Sequence, residues 1–122
     1  MAASAPVDPV VREIVDRIVA EASPLRVVLF GSRATGTARP DSDVDLLVVM
    51  PNGTPRRRAM VEIGARLPRP GVGIDLLVTT PEVLDQHRDN PGLIYREILR
   101  TGQDLYVANA RATDVPVANA AS

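Results

Sequence analysis

Apolar and polar residues recur along the chain in two different periods, and the changes of period mark its elements. Val11, Ile14, Val15, Ile18, Val19 and Ala22 return at steps of three and four, with Arg12, Glu13, Asp16, Arg17 and Glu21 between them. That spacing predicts an amphipathic helix, with Asp8 as N-cap, Pro9 as first helical residue and Pro24 as its stop. Leu25 to Phe30 (LRVVLF) then reads as a largely buried strand. A Gly31-Ser32 turn follows at once, and Thr35 to Ser42 has the composition of a loop. Val44 to Val49 forms a second strand, ended by Pro51, Asn52 and Gly53. Thr54 to Leu67 carries Met60, Ile63 and Leu67 on one helical stripe, with Thr54 as N-cap and Pro55 in the first turn, and with Gly64 inside it. Pro68, Pro70, Gly71 and Gly73 break the chain before a third apolar run, Ile74 to Thr79. Thr80 then caps a short helix around Pro81 to Gln86, and Pro91 opens another that runs to about Arg100 and stops at Gly102. Leu105, Tyr106 and Val107 add an edge strand. Residues 108–122, rich in Ala, Asn, Asp, Thr and Pro with isolated valines, are expected to form a disordered tail behind one domain at 1–107.

Composition narrows the chemistry. The 122 residues suit one domain, and with 45% hydrophobic residues but only 2% aromatics the core must be built from Val, Leu, Ile and Ala. The expected fold class is α/β: a small mixed β-sheet with helices packed on one side and a site at its edge. A net charge of -1 gives no global reason for nucleic-acid or membrane binding, and with no signal-type or membrane-spanning apolar run the expected location is cytoplasmic. All basic residues are arginine, which excludes a Walker-type or Schiff-base lysine. The absence of cysteine excludes thiolate chemistry and Cys-ligated metals, and one histidine, His87, leaves no His-rich site.

Against that background three carboxylates stand out. Asp43 and Asp45 are two apart at the head of a strand, so their side chains share a face with Cα atoms roughly 7 Å apart. Each raises the other's pKa unless a cation lies between them. Asp75 sits in the third apolar run, and if the second and third strands are neighbours it lies opposite the pair and completes a site for two hard cations. Two such ions activate an attacking oxygen and stabilise a leaving oxygen at phosphorus, so phosphoryl or nucleotidyl transfer is the expected chemistry. Upstream, Gly31 and Ser32, opening a short helix through Arg33 and Ala34, would offer amides and a hydroxyl to a triphosphate, with charge added by Arg33 and Arg39. Ser42 either caps the turn before Asp43 or supports the metals by a hydrogen bond. Arg56, Arg57 and Arg58 read as a solvated face, His87 as a surface residue, and Tyr95 and Tyr106 as packing residues.

Gly31-Ser32, ten residues, then Asp43-Val44-Asp45 resembles the signature of the DNA polymerase β-like nucleotidyltransferase superfamily. The continuation into LLVV, the lone Asp75 and the small size resemble its minimal nucleotidyltransferase (MNT) branch, over roughly Val10 to Val107. The resemblance implies that Asp43 and Asp45 bind two Mg2+ ions, that Asp75 binds the catalytic one and helps deprotonate the acceptor, and that Gly31 and Ser32 hold the triphosphate. It implies transfer of a nucleoside monophosphate, with ATP the expected donor, and release of pyrophosphate. Members of that branch are often antitoxins of HEPN-domain ribonuclease toxins and attach AMP to a toxin tyrosine. Other acceptors, a tRNA end or a small molecule such as an aminoglycoside, define alternative enzymes, and a purely steric antitoxin defines a non-enzymatic one. A homo-oligomer is compatible with all of them.

Overall fold

A four-stranded sheet in the order β3-β2-β1-β4 organises the chain; the computed structural model describes residues 8–68, 71–87 and 94–108. The elements in order are α1 (Pro9–Ala22), β1 (Arg26–Phe30), α2 (Ser32–Thr35), β2 (Val44–Val49), α3 (Arg56–Ala65), β3 (Ile74–Thr79), α4 (Pro81–His87), α5 (Ile94–Thr101) and β4 (Gln103–Val107). β1 pairs antiparallel with both β2 and β4, while β2 and β3 run parallel, so the sheet is mixed. The expected α/β class and mixed sheet are therefore found. The expected fourth edge strand is found too, two residues longer at its start, with Leu105 as the extra residue of a bulge opposite Val27 and Val28. Pro91 and the segment 109–122 lie outside the described residues, so the expected helix start and tail are not located.

The helix ends follow local chemistry. Asp8 caps α1 by accepting the Val10 N–H at 2.8 Å, and Ser23 closes it in a left-handed conformation with its N–H on the Val19 carbonyl. Thr54 does not cap α3. Its hydroxyl donates instead to the Pro51 carbonyl at 2.7 Å, within the turn that follows β2, and the helix begins at Arg56. Thr80 accepts the Val83 N–H at 3.3 Å and Asn52 the Glu82 N–H at 2.9 Å, so two side chains satisfy the opening amides of α4.

Helices cover both faces of the sheet, which corrects the expectation that they pack on one side. Val27 and Leu29 of β1 and Val44, Leu46 and Val48 of β2 join Ile14, Ile18 and Ile63 in a core under α1 and α3. The alternate residues Val28, Leu47 and Val49 join Leu84 and Ile98 in a second core under α4 and α5. The physical reason is legible in β1 and β2: both are apolar at successive positions, so each has two faces to bury. His87, expected at the surface, is half-buried, and its ring stacks on Tyr95 at 6.3 Å between centroids, joining α4 to α5. Thr79, fully buried on β3, has a hydroxyl with no hydrogen-bond partner among the described residues. Thr79→Val, nearly equal in shape, removes that desolvated hydroxyl and is expected to stabilise the fold by about 1 kcal/mol in a urea titration.

Candidate active site

The acids gather where three strands meet at one end of the sheet. β2 and β3 start there and β1 ends there, because β1 is antiparallel to β2. Asp45 is in register with Asp75 on one side and with Phe30 on the other. Being odd-numbered on its strand, Asp45 shares the face of Leu47 and Val49, which α4 and α5 cover further along. Asp43, one residue ahead of β2, continues the same alternation and is exposed, as is Asp75, whereas Asp45 is half-buried. The neighbouring of β2 and β3, on which the sequence reading depended, is thus present in the sheet.

The carboxyl groups of Asp45 and Asp75 hydrogen-bond to each other. Burial, that hydrogen bond and the charges of Asp75 and Asp43 together raise the pKa of Asp45 from 3.8 to about 6. Folded Asp45 therefore holds its proton at pH values where the unfolded chain has lost it. The stabilisation is complete below 3.8 and disappears as pH rises through about 6. Urea unfolding across pH 4–8 is expected to show stability falling through that window, and added Mg2+ is expected to restore it at the upper end.

Two glycines make the space. Gly31, at φ +75° and ψ -157°, lies against Asp45, and a Cβ there would overlap the carboxylate. Gly73 stands in the same relation to Asp43, where a Cβ would come to 3.0 Å from the carboxyl carbon. Sequence reading treated Gly73 only as a chain breaker; its place two residues before Asp75, at the mouth of β3, was the available signal.

The loop from Ser32 to Asp43 is tied internally. Arg33, expected to face a nucleotide, directs Nη2 and Nε at the Ser42 carbonyl (2.8 and 3.2 Å) and Nη2 also at the Pro40 carbonyl (3.2 Å). Its Nη1 lies 3.6 Å from Asp8. Ser42 Oγ accepts the Arg39 N–H at 2.8 Å, closing the turn before Asp43. The structure thus brings Gly31, Asp43, Asp45 and Asp75 together, places Ser32 next to them at the start of α2, and engages the side chains of Arg33 and Ser42 with the loop. In α2 the Ala34 and Thr35 N–H groups donate to the Gly31 carbonyl at 3.0 and 3.2 Å, which leaves those of Ser32 and Arg33 without a backbone partner among the described residues. Arg56, Arg57 and Arg58 are exposed and follow the far end of β2, away from the acids.

The donor set suits a hard divalent cation: carboxylate oxygens, without histidine or cysteine. As the side chains stand, no three such groups among the described residues converge on a metal position. The hydrogen bond joining Asp45 to Asp75 fills the gap between those two carboxyls, and a cation there would take the place of the shared proton.

The matched family is the nucleotidyltransferase domain, over residues 11–109, and the chain belongs to it. Among curated proteins none matches the chain. A solved protein of Sulfolobus solfataricus assigned as a nucleotidyltransferase is 26% identical, with a TM-score of 0.50 over 63% of this chain and 69% of that one. A toxin-antitoxin structure with AMP-PNP is 17% identical, with a TM-score of 0.49 over 81% of this chain and 75% of that one. Among the described residues no helix is long and apolar enough to cross a membrane.

Proposed function

We propose that the chain transfers a nucleoside monophosphate, AMP from ATP, to a hydroxyl of a partner protein. The observation that carries this is the register of Asp45 with Asp75 beside Gly31, which puts an acidic cluster next to a helix start able to meet phosphate. Asp43, Asp45 and Asp75 are the residues that would hold Mg2+. Bound Mg2+ supplies Lewis-acid polarisation of phosphoryl oxygens. The Ser32 hydroxyl and the N–H groups of Ser32 and Arg33 orient the triphosphate, and the Arg33 side chain, through the Ser42 carbonyl, fixes the loop that joins this turn to the acids. Asp75, exposed on the outermost of the three strands, accepts the proton of the attacking hydroxyl. The oxygen bonds to the α-phosphorus, the bond from that phosphorus to the bridging oxygen breaks, and pyrophosphate leaves with the electron pair.

The biological role that fits this activity is an antitoxin that adenylylates and silences a HEPN-domain ribonuclease toxin. Its support is the motif resemblance carried by Gly31, Ser32, Asp43, Asp45 and Asp75.

The test supplies NTPs labelled at the α-phosphate, Mg2+ and lysate of the native host to wild type and to Asp43→Asn. Label on one protein band with wild type alone is the expected result. Label on RNA or on a small molecule would replace the protein acceptor. No label from any of the four nucleotides, with a specific partner still bound, would leave a steric antitoxin on a transferase scaffold.

A further inference from the structure

The outer edge of β3 has a feature that the acidic cluster alone does not explain. β3 ends the sheet, and among the described residues no strand pairs with its outer side. The Val44 N–H donates to the Gly73 carbonyl at 2.9 Å and the Met50 N–H to the Thr79 carbonyl at 2.8 Å. With the parallel register, these bonds turn the backbone of odd-numbered β3 residues toward β2. Ile74, Leu76 and Val78 consequently aim their N–H and C=O groups outward, three sets in a row with no strand partner among the described residues. On one face of this edge lies a groove of about 300 Å³ lined by Ala65, Leu67, Pro68, Val72, Ile74 and Leu76. On the other face is Asp75.

We propose that the free edge of β3 takes an extended segment of the acceptor protein as a fifth strand, setting a hydroxyl residue beside Asp75 and apolar residues into the Leu67–Leu76 groove. This rests on the reading of the chain as a protein-modifying transferase. An added strand alternates its side chains between the two faces, as the acid and the groove require. In antiparallel pairing the residue opposite Asp75 occupies a non-hydrogen-bonded site, the closer of the two kinds, at about 4.5 Å between Cα atoms. Its side chain shares the face of Asp75 and enters the acidic cluster, where its hydroxyl proton passes to that carboxylate as its oxygen bonds to the α-phosphorus and pyrophosphate departs. Acidic residues are disfavoured at that position by Asp43, Asp45 and Asp75. The same repulsion argues against a second copy of this chain, since pairing β3 with β3 about a two-fold axis sets both acidic clusters on one face.

The test uses the full chain with soluble acetylated peptides of about seven residues, a length that spans β3. Valine alternates with serine in one peptide, with tyrosine in a second and with alanine in a third. Hydrogen exchange at Ile74, Leu76 and Val78 is expected to slow by about tenfold or more with the peptides, and α-phosphate label is expected on a hydroxyl peptide alone. Leu76→Pro removes an outward N–H and leaves the bonds to β2; it is expected to lose both effects while keeping its stabilisation by Mg-ATP. Ile74→Pro provides the second variant should Leu76→Pro not fold. Slowed exchange without labelling would support the edge and defeat the transferase reading. Unchanged exchange at these amides, with label reaching a protein in lysate, would overturn the edge and keep that reading. Exchange that slows with protein concentration alone, with a dimer in sedimentation, would overturn it in favour of a second copy.

Discussion

Asp45→Asn is expected to abolish transfer and at the same time make the protein harder to unfold. The two effects share one cause. Asp45 is half-buried, in register with Asp75 and within reach of the charge of Asp43, and its pKa is raised to about 6. At pH 8 the folded chain therefore carries a charge that it would hold more cheaply unfolded. Asparagine keeps the shape and removes the charge, so unfolding in urea at pH 8 is expected to shift upward by about 1 kcal/mol, after allowance for solvent screening at a half-buried group. The gain should shrink as pH falls below about 6, where wild type itself becomes protonated. Activity runs the other way. Losing one anionic oxygen ligand removes several kcal/mol of charge stabilisation, so labelled transfer should fall by about 10³-fold or more. A variant that is stable and inactive would mark Asp45 as a site kept at the expense of the fold. Loss of stability at pH 8 would show that the Asp45–Asp75 contact is chiefly structural.

Gly31→Ala is expected to have the second large effect, and Gly36→Ala supplies its control. Both glycines have positive φ, +75° and +83°. Gly31 also has ψ near -157°, a region essentially restricted to glycine, where a side chain costs about 1–3 kcal/mol. Gly36 is an ordinary left-handed cap, where alanine costs about 1–2 kcal/mol. The difference in space is larger. Nothing lies within 4 Å of a Cβ at Gly36, whereas at Gly31 the methyl group overlaps the Asp45 carboxylate. Thermal melts should show both variants destabilised, Gly31→Ala the more. Transfer measured below the melting range should fall by about 100-fold for Gly31→Ala, from displacement of the acid, and change little for Gly36→Ala. Equal activity losses in the two would mean that the turn's flexibility, not its clearance for Asp45, is what matters.

Much of this arrangement was readable from residue order. Val44 to Val49 and Ile74 to Thr79 begin and end where their apolar runs do, because a buried strand bounded by Pro and Gly has little freedom at its ends. The Asp43-x-Asp45 spacing required only the two-residue period of a strand. Three features were out of reach. That β2 and β3 are adjacent is a tertiary fact, on which the position of Asp75 depends. The unbroken apolar runs of β1 and β2 show that two faces need cover, but which helices supply the second depends on where α4 and α5 travel after β3, and a buried helix face looks the same whichever side of a sheet receives it. The behaviour of Arg33 was hidden because an arginine beside a phosphate-type turn suggests an anion, while its geometry satisfies the carbonyls of Pro40 and Ser42, seven and nine residues downstream.

That arginine also acts as a ruler. One planar guanidinium reaches from the first turn of α2 to the carbonyls of Pro40 and Ser42 and, on its other side, to the cap of α1. It thereby measures the length of chain allowed between the glycine turn and the first acid. One residue more or fewer in that stretch would leave either the guanidinium or two carbonyls without a partner. The ten-residue spacing is in this sense a mechanical dimension of the loop, and a lysine at position 33, with one point of contact in place of a fork, would set it less strictly.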